Sequence, residues 1–408
     1  PVDLTADFAR EQNLTVDHAG FEVEMTAQRE RARAGGKFGA DYDQDIRHDS
    51  QTDFTGYHSL KDSSQIVGLF SKGQPVESLQ EGEEGVVVLE QTPFYAESGG
   101  QVGDSGTITV ASSIFKVFDT QKQGASLFLH KGKVVQGGIE NGQDCELSVN
   151  AEDRNATELN HSATHLLHAA LRQTLGEHVA QKGSLVNPER LRFDFSHFEP
   201  MTADEIVTIE SIVNQQIRLN NQVSAEVMSK DEAVEAGAMA LFGEKYGDEV
   251  RVLKMGEFSI ELCGGTHVER SGDIGCFKII SETGVASGVR RLEAVTGKAC
   301  FEWIAGRDKV LANIAGLVKS SAENASDKVQ QLVDKNKQLE KELFNLNLDN
   351  YIQGGLNDYL PYVNNPKIKD AAINLSAYLN LVKNNNKAIQ VPTSSSNYNI
   401  IPSKSLYL

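Results

Sequence analysis

The residues best suited to chemistry in this chain are two pairs: His161 with His165, and, much later, Cys263 with His267. Each pair is spaced i, i+4. On a helix such residues share one face, about 5–6 Å apart at Cβ, so two imidazoles can reach one ion. One sulfur and three imidazole nitrogens suit zinc, which prefers tetrahedral nitrogen and sulfur ligands. Gly264 and Gly265 let the backbone turn tightly between Cys263 and His267. Either pair alone is weak, because histidines at this spacing recur as surface or satisfied core residues. The combination carries the reading of a shared metal site. No His-Glu-x-x-His run is present, which argues against a metalloprotease with a built-in glutamate base.

The elements that must position these ligands follow from periodicity. The fold class expected is multidomain α+β: an N-terminal helical segment, a small β-barrel, an α+β zinc-binding domain and a C-terminal long helix. Residues 1–48 read as helical. Residues 49–150 change to short apolar runs such as Val86–Leu89, Gly106–Val110 and Ile114–Val117. These are separated by turn signals at Gly99-Gly100, Gly137-Gly138 and Asn141-Gly142, which predicts a small barrel or sandwich. Residues 151–300 form the α+β block. A helix carries His161 and His165, with Asn155 and Glu158 in partial capping-box spacing and Gly176 as its C-cap. Leu191–Phe195 alternates as a half-buried strand, and Thr202 with Glu205 forms a full capping box for a second helix. A strand over Phe258–Leu262 delivers Cys263. Residues 301–344 predict a long helix, either a coiled coil with Asn336 at an a position or a helix packed on its own domain. The Asn- and Ser-rich residues 345–408 predict weak order.

Composition bounds the function. A chain of 408 residues accommodates two or three domains. The net charge of −18 excludes a bulk electrostatic nucleic-acid binder, so any RNA contact must be local. Four cysteines are too few for a disulfide scaffold and fit a reducing cytosol with one metal-ligating thiol. No apolar run of about 18 residues predicts a membrane span. The chain opens on Pro1, which reads as part of a longer polypeptide.

The motifs His161-Ser-Ala-Thr-His165, Gln181-Lys-Gly-Ser184 and Cys263-Gly-Gly-Thr-His267 resemble the editing domain of alanyl-tRNA synthetases. So do Thr92-Pro-Phe-Tyr-Ala-Glu-Ser-Gly-Gly-Gln101 and Gly284-Val-Ala-Ser-Gly-Val-Arg-Arg291, and the likeness covers roughly residues 1–343. Threonyl-tRNA synthetase editing domains and free-standing alanyl-tRNA deacylases share the zinc motif. The resemblance implies that His161, His165, Cys263 and His267 bind zinc. It also implies that the class II aminoacylation core, with its ATP and magnesium, lies upstream. The family's glycine-rich C-terminal domain is not recognisable in 345–408.

The implied chemistry is hydrolysis of seryl- and glycyl-tRNA(Ala) in the cytoplasm, with tRNA(Ala) engaged at its aminoacylated acceptor end. A pocket that accepts alanine cannot exclude glycine and rejects one added hydroxyl poorly, so a second, hydrolytic site is needed. Thr164 is the candidate to recognise the serine hydroxyl, and Gln181 to place substrate or water; their bland alternatives are helix packing and a surface loop. Zinc could acidify a water, bind the substrate's α-amino group, or hold the pocket's shape. His168 is read as packing. Lys182, Arg190, Arg192, Arg290 and Arg291 are candidate tRNA contacts or ordinary solvated charges. Two other readings stay open: a non-catalytic tRNA-docking module with a structural zinc, and a zinc hydrolase acting elsewhere. The C-terminal helix could also support a homo-oligomer. Aminoacylation is expected to be absent from this chain.

Overall fold

In a computed structural model, the structure describes residues 17, 20, 21, 46, 48, 50–124, 126–238 and 249–350. The expected N-terminal helical segment and the tail beyond residue 350 lie outside the described residues. The chain divides into two compact units, Pro1–Trp303 and Ile304–Leu408.

Six antiparallel strands of the first unit close into a barrel: β1 (Lys61–Ser71), β2 (Glu84–Leu89), β3 (Gly106–Val110), β4 (Ser113–Gln123), β5 (Leu127–Gln136) and β6 (Asp144–Val149). Their order is β6-β3-β4-β5-β2-β1, and β1 closes the ring by pairing back to β6. Closure works because β1 serves two neighbours. Lys61–Gln65 pair with β6, whereas Ile66–Phe70 pair with β2. A register shift at Ile66/Gly68 bends the strand between these duties, as bulges do. The interior is filled by fully buried side chains, including Ile66, Val87, Ile108, Phe115 and Val134, as a barrel of this size requires.

The α+β part begins with α1 (Ala151–Leu175). Its N-cap is Asn150, whose side chain accepts from the backbone N–H groups of Glu152 and Asp153. The helix therefore starts before the partial box at Asn155 and Glu158, because Asn150 reaches the orphan donors first. Gly176 caps the other end at φ 114°. Next come β7 (Gln181–Val186), β8 (Leu191–Ser196), α2 (Ala203–Leu219), β9 (Val223–Ser229) and the short α3 (Lys230–Glu235). The expected capping box of Thr202 and Glu205 is present at α2. Strands β10 (Glu249–Met255), β11 (Ser259–Leu262), β12 (Phe277–Ala286) and β13 (Val289–Thr296) complete two sheets, ordered β7-β8-β13-β12 and β9-β10-β11. Leu166, Leu167, Ala170 and Leu171 of α1 share one core with Phe193, Phe195, Ile209 and Val213.

Where one long helix was expected over 301–344, the chain forms two: α4 (Gly297–Leu317) and α5 (Ala325–Asn350). Lys319 adopts φ 55°, and Ser320, Ser321 and Asn324 follow, residue types that favour turns and caps over helix interiors. On α5, Asn336 donates to Glu340 at 2.8 Å, an i, i+4 bond along its own helix.

Candidate metal centre

His161 and His165 project from one face of α1. Cys263 follows β11 directly, and His267 closes the turn after it. The four ligand atoms lie within 4.8 Å of one another. Cys263 Sγ is 3.5 Å from His161 Nε2 and 3.2 Å from His267 Nε2. Nitrogen and sulfur at about 2.0–2.3 Å from one ion and at tetrahedral angles are about 3.5 Å apart. His165 Nε2 is buried with no hydrogen-bond partner. Donor chemistry, spacing and this orphaned nitrogen all fit zinc.

The outer contacts explain why Nε2 is the free atom in each ring. His161 Nδ1 lies 2.8 Å from Gln101 Oε1, His165 Nδ1 2.7 Å from Glu261 Oε2, and His267 Nδ1 3.3 Å from Ser162 Oγ. Each Nδ1–H donates outward, which fixes the tautomer and leaves Nε2 to ligate. Burial opposes ionisation of the Cys263 thiol. His161, His267 and His165 outweigh it and hold the thiol well below its ordinary range. The Gly265 N–H also points at the sulfur, at 3.4 Å. Glu261 is held at about 2: burial raises it, but His165 and His168 prevail.

The turn itself is clasped. Arg251 of β10 donates to the carbonyls of Cys263 and Gly265 at 2.9 and 3.0 Å, and Tyr57 Oη donates to that of Gly264 at 2.7 Å. Arg251 also stacks on the Tyr57 ring, 4.2 Å from its centroid. Arg154, fully buried in the first turns of α1, bonds Asp104 through two nitrogens and donates to the carbonyls of Gly56 and Pro93. The barrel is thus tied to the helix that bears two of the ligands.

Thr164 is buried beside the histidines, and its hydroxyl donates to the Asn160 carbonyl at 2.8 Å. Gln181, half-buried, opens β7 paired with Phe195, and the register shifts between Gln181 and Gly183. The arginines expected at RNA are paired with carboxylates on this sheet: Arg190 with Glu293, Arg192 and Arg291 with Asp194, and Arg290 with Glu282. Lys182 is exposed on β7. His168 is not mere packing, because its Nδ1 bonds Glu261 at 3.0 Å. Gln101 and Ser162 fall within motifs quoted from the sequence but carry no role there, and Glu261, Arg154 and Arg251 are not singled out from sequence. Two signals existed: Glu261 lies two residues before Cys263 on a strand, and hence on the same face, and His168 continues the helical face of His161 and His165. Cys276 and Cys300 lie close together, with their Cα atoms 6.2 Å apart.

A mixed α+β unit with a barrel and a buried His/Cys cluster defines a class, and comparison with known proteins narrows it. A family model described as "tRNA synthetases class II (A)" matches residues 1–153, and one described as "Threonyl and Alanyl tRNA synthetase second additional domain" matches residues 250–293. The chain is 58% identical over 343 residues to an alanine–tRNA ligase of Methylococcus capsulatus and 56% over 344 residues to one of Pseudomonas fluorescens, covering 84% of this chain in each case. An alanine–tRNA ligase of Shewanella loihica is 54% identical over 346 residues. The chain belongs to the alanyl-tRNA synthetase family. It spans about two fifths of the length of these curated relatives, 39–40% of each.

Proposed function

We propose that this part of the molecule proofreads: it hydrolyses seryl- and glycyl-tRNA(Ala) at a zinc centre held by His161, His165, Cys263 and His267. The observation that carries the reading is the buried convergence of one thiol and three Nε2 atoms, with every Nδ1 engaged outward. Zinc bound there would supply a Lewis acid for water or for the substrate's α-amino group. Thr164 already spends its proton on the Asn160 carbonyl. Its oxygen therefore accepts, and a serine hydroxyl donates to it. Alanine has nothing to donate, which sets the preference. Gln181, at the start of β7, orients the ester or its attacking water through its carboxamide. Lys182, Arg190, Arg192, Arg290 and Arg291 would meet acceptor-arm phosphates, the arginines by exchanging a carboxylate partner for a phosphate. In the parent polypeptide the partner is tRNA(Ala), and the ligase reaction would use ATP and magnesium in sequence this chain does not span.

The test is deacylation of seryl-tRNA(Ala) against alanyl-tRNA(Ala), with and without a zinc chelator. Selective, chelator-sensitive loss of serine is expected. Thr164→Val should lower the serine-over-alanine ratio about tenfold, the weight of one hydrogen bond; an unchanged ratio removes Thr164 from this role. One observation favours a second reading. Four protein donors make a closed tetrahedral set, typical of structural zinc. Zinc retained with no hydrolysis of either ester, and with tRNA affinity intact in Gln181→Ala, would identify a docking module.

A further inference from the structure

Gln101 belongs to the barrel half of the chain, yet its side chain is fully buried against the ligand cluster. Its Oε1 accepts from His161 Nδ1 at 2.8 Å and from the Thr266 backbone N–H at 3.0 Å, while its Nε2 donates to Thr266 Oγ1 at 2.9 Å. One carboxamide therefore joins a ligand on α1 to the residue preceding the ligand His267. The segment bearing Gln101 is seated as an added edge on β7: Val102 N–H donates to the Val186 carbonyl at 3.0 Å, and Val186 N–H to the Gly100 carbonyl at 2.7 Å. Gly100 permits this seat, with φ +89° and no side chain where a Cβ would meet the Ser184 carbonyl.

We propose that Gln101 is a positioning residue for the metal centre, so that metal affinity depends on the barrel segment being seated on β7. This rests on the zinc reading above. An imidazole that ligates through Nε2 must carry its proton on Nδ1, and Gln101 Oε1 is the acceptor that holds it there. Removal of such a partner typically costs about 10–100-fold in metal affinity. The coupling is reciprocal, so bound metal must in turn hold the segment on β7.

The experiment uses the intact chain, zinc competition against a chromophoric chelator, and the visible absorption of the cobalt-substituted protein. Gln101→Ala should lose about 10–100-fold in zinc affinity and alter the cobalt spectrum. Gln101→Glu keeps the acceptor and should stay near the parent. Gly100→Ala leaves the carboxamide in place but crowds the Ser184 carbonyl, and should weaken zinc in the same direction. Parent-like affinity in Gln101→Ala overturns the proposal, and so does equal loss in Gln101→Ala and Gln101→Glu. Should Gln101→Ala fail to fold, the other two variants still decide: parent-like affinity in Gly100→Ala, or loss in Gln101→Glu, overturns it. A parent that binds no zinc overturns the metal centre itself. A zinc-binding parent without hydrolysis overturns only the proofreading reading.

Discussion

At the scale of single residues, the centre depends on small differences in where protons and methyl groups sit. Gly265 lies against His161, so a Cβ there would run into the imidazole ring and the Gln101 oxygen. Gly265→Ala should cost about 1–3 kcal/mol of stability through overpacking and weaken zinc binding, both measurable by urea titration with and without metal. Parent-like values in both would show that the ring has room to move. His130 is not one of the clustered His/Cys residues and offers a separate titration. It is fully buried in the barrel, its Nδ1–H donates to the Val87 carbonyl at 3.0 Å, and its Nε2 accepts from Thr92 at 2.8 Å. Burial lowers it to about 4 against an ordinary 6.5. The folded pKa is depressed, so the unfolded chain takes up the proton first. Stability present above about pH 6.5 is lost as the pH falls toward 4, by about 3 kcal/mol. Urea midpoints between pH 7 and 4.5 should fall more steeply in the parent than in His130→Leu; parallel curves would sink this assignment. The four candidate ligands were legible because each pair is local in sequence, and their ligand atoms come within 4.8 Å of one another. The role of Gln101, quoted only as the end of a motif, was not, because it exists only once a loop some 60 positions from His161 folds onto it.

At the scale of elements, α1 does the most. Its Arg154 makes five close contacts with oxygens, on Asp104, Gly56 and Pro93, and its side chain is fully buried. Arg154→Ala leaves the buried Asp104 with the Tyr95 N–H but without its cation, and removal of one member of a buried ion pair typically costs about 3–5 kcal/mol. Replacing both, as Arg154→Met with Asp104→Leu, should recover much of that. The check is a double-mutant cycle by chemical denaturation; additivity of the two single changes would argue against a coupled pair. The helices and the barrel strands were largely legible from capping residues, alternation and turn glycines. The start of α1 was misplaced because a lone Asn150 acts without a partnering box. The break after α4 was missed because the polar run at Ser320, Ser321 and Asn324 was passed over as part of one helix, and Lys319 gives no sign in sequence of its left-handed backbone.

At the scale of the whole molecule, the candidate metal centre joins the barrel to the α+β sheet, and metal bound there is expected to make the two unfold together. Ligands come from α1 and the turn after β11, and the outer partners Gln101 and Tyr57 come from the barrel side. Zinc at a hundredfold excess over its dissociation constant should add about 2.7 kcal/mol, and barrel and sheet should share the gain. Thermal unfolding with and without chelator, followed by hydrogen exchange in both regions, measures this; protection confined to the α+β region would refute a shared transition. The net charge of −18 and the ion-paired arginines leave little free positive field, so recognition of RNA at this surface must depend on fit more than on attraction. One consequence follows from α1 carrying Arg154, His161 and His165 on a single uninterrupted rod. An α-helix advances about 100° per residue. A single residue inserted between Arg154 and His161 would swing both imidazoles about a quarter-turn away from the barrel clasp, although every side chain named above would still be present. The spacing along that rod acts as a phase setting, and in this stretch a length change would be more damaging than most substitutions.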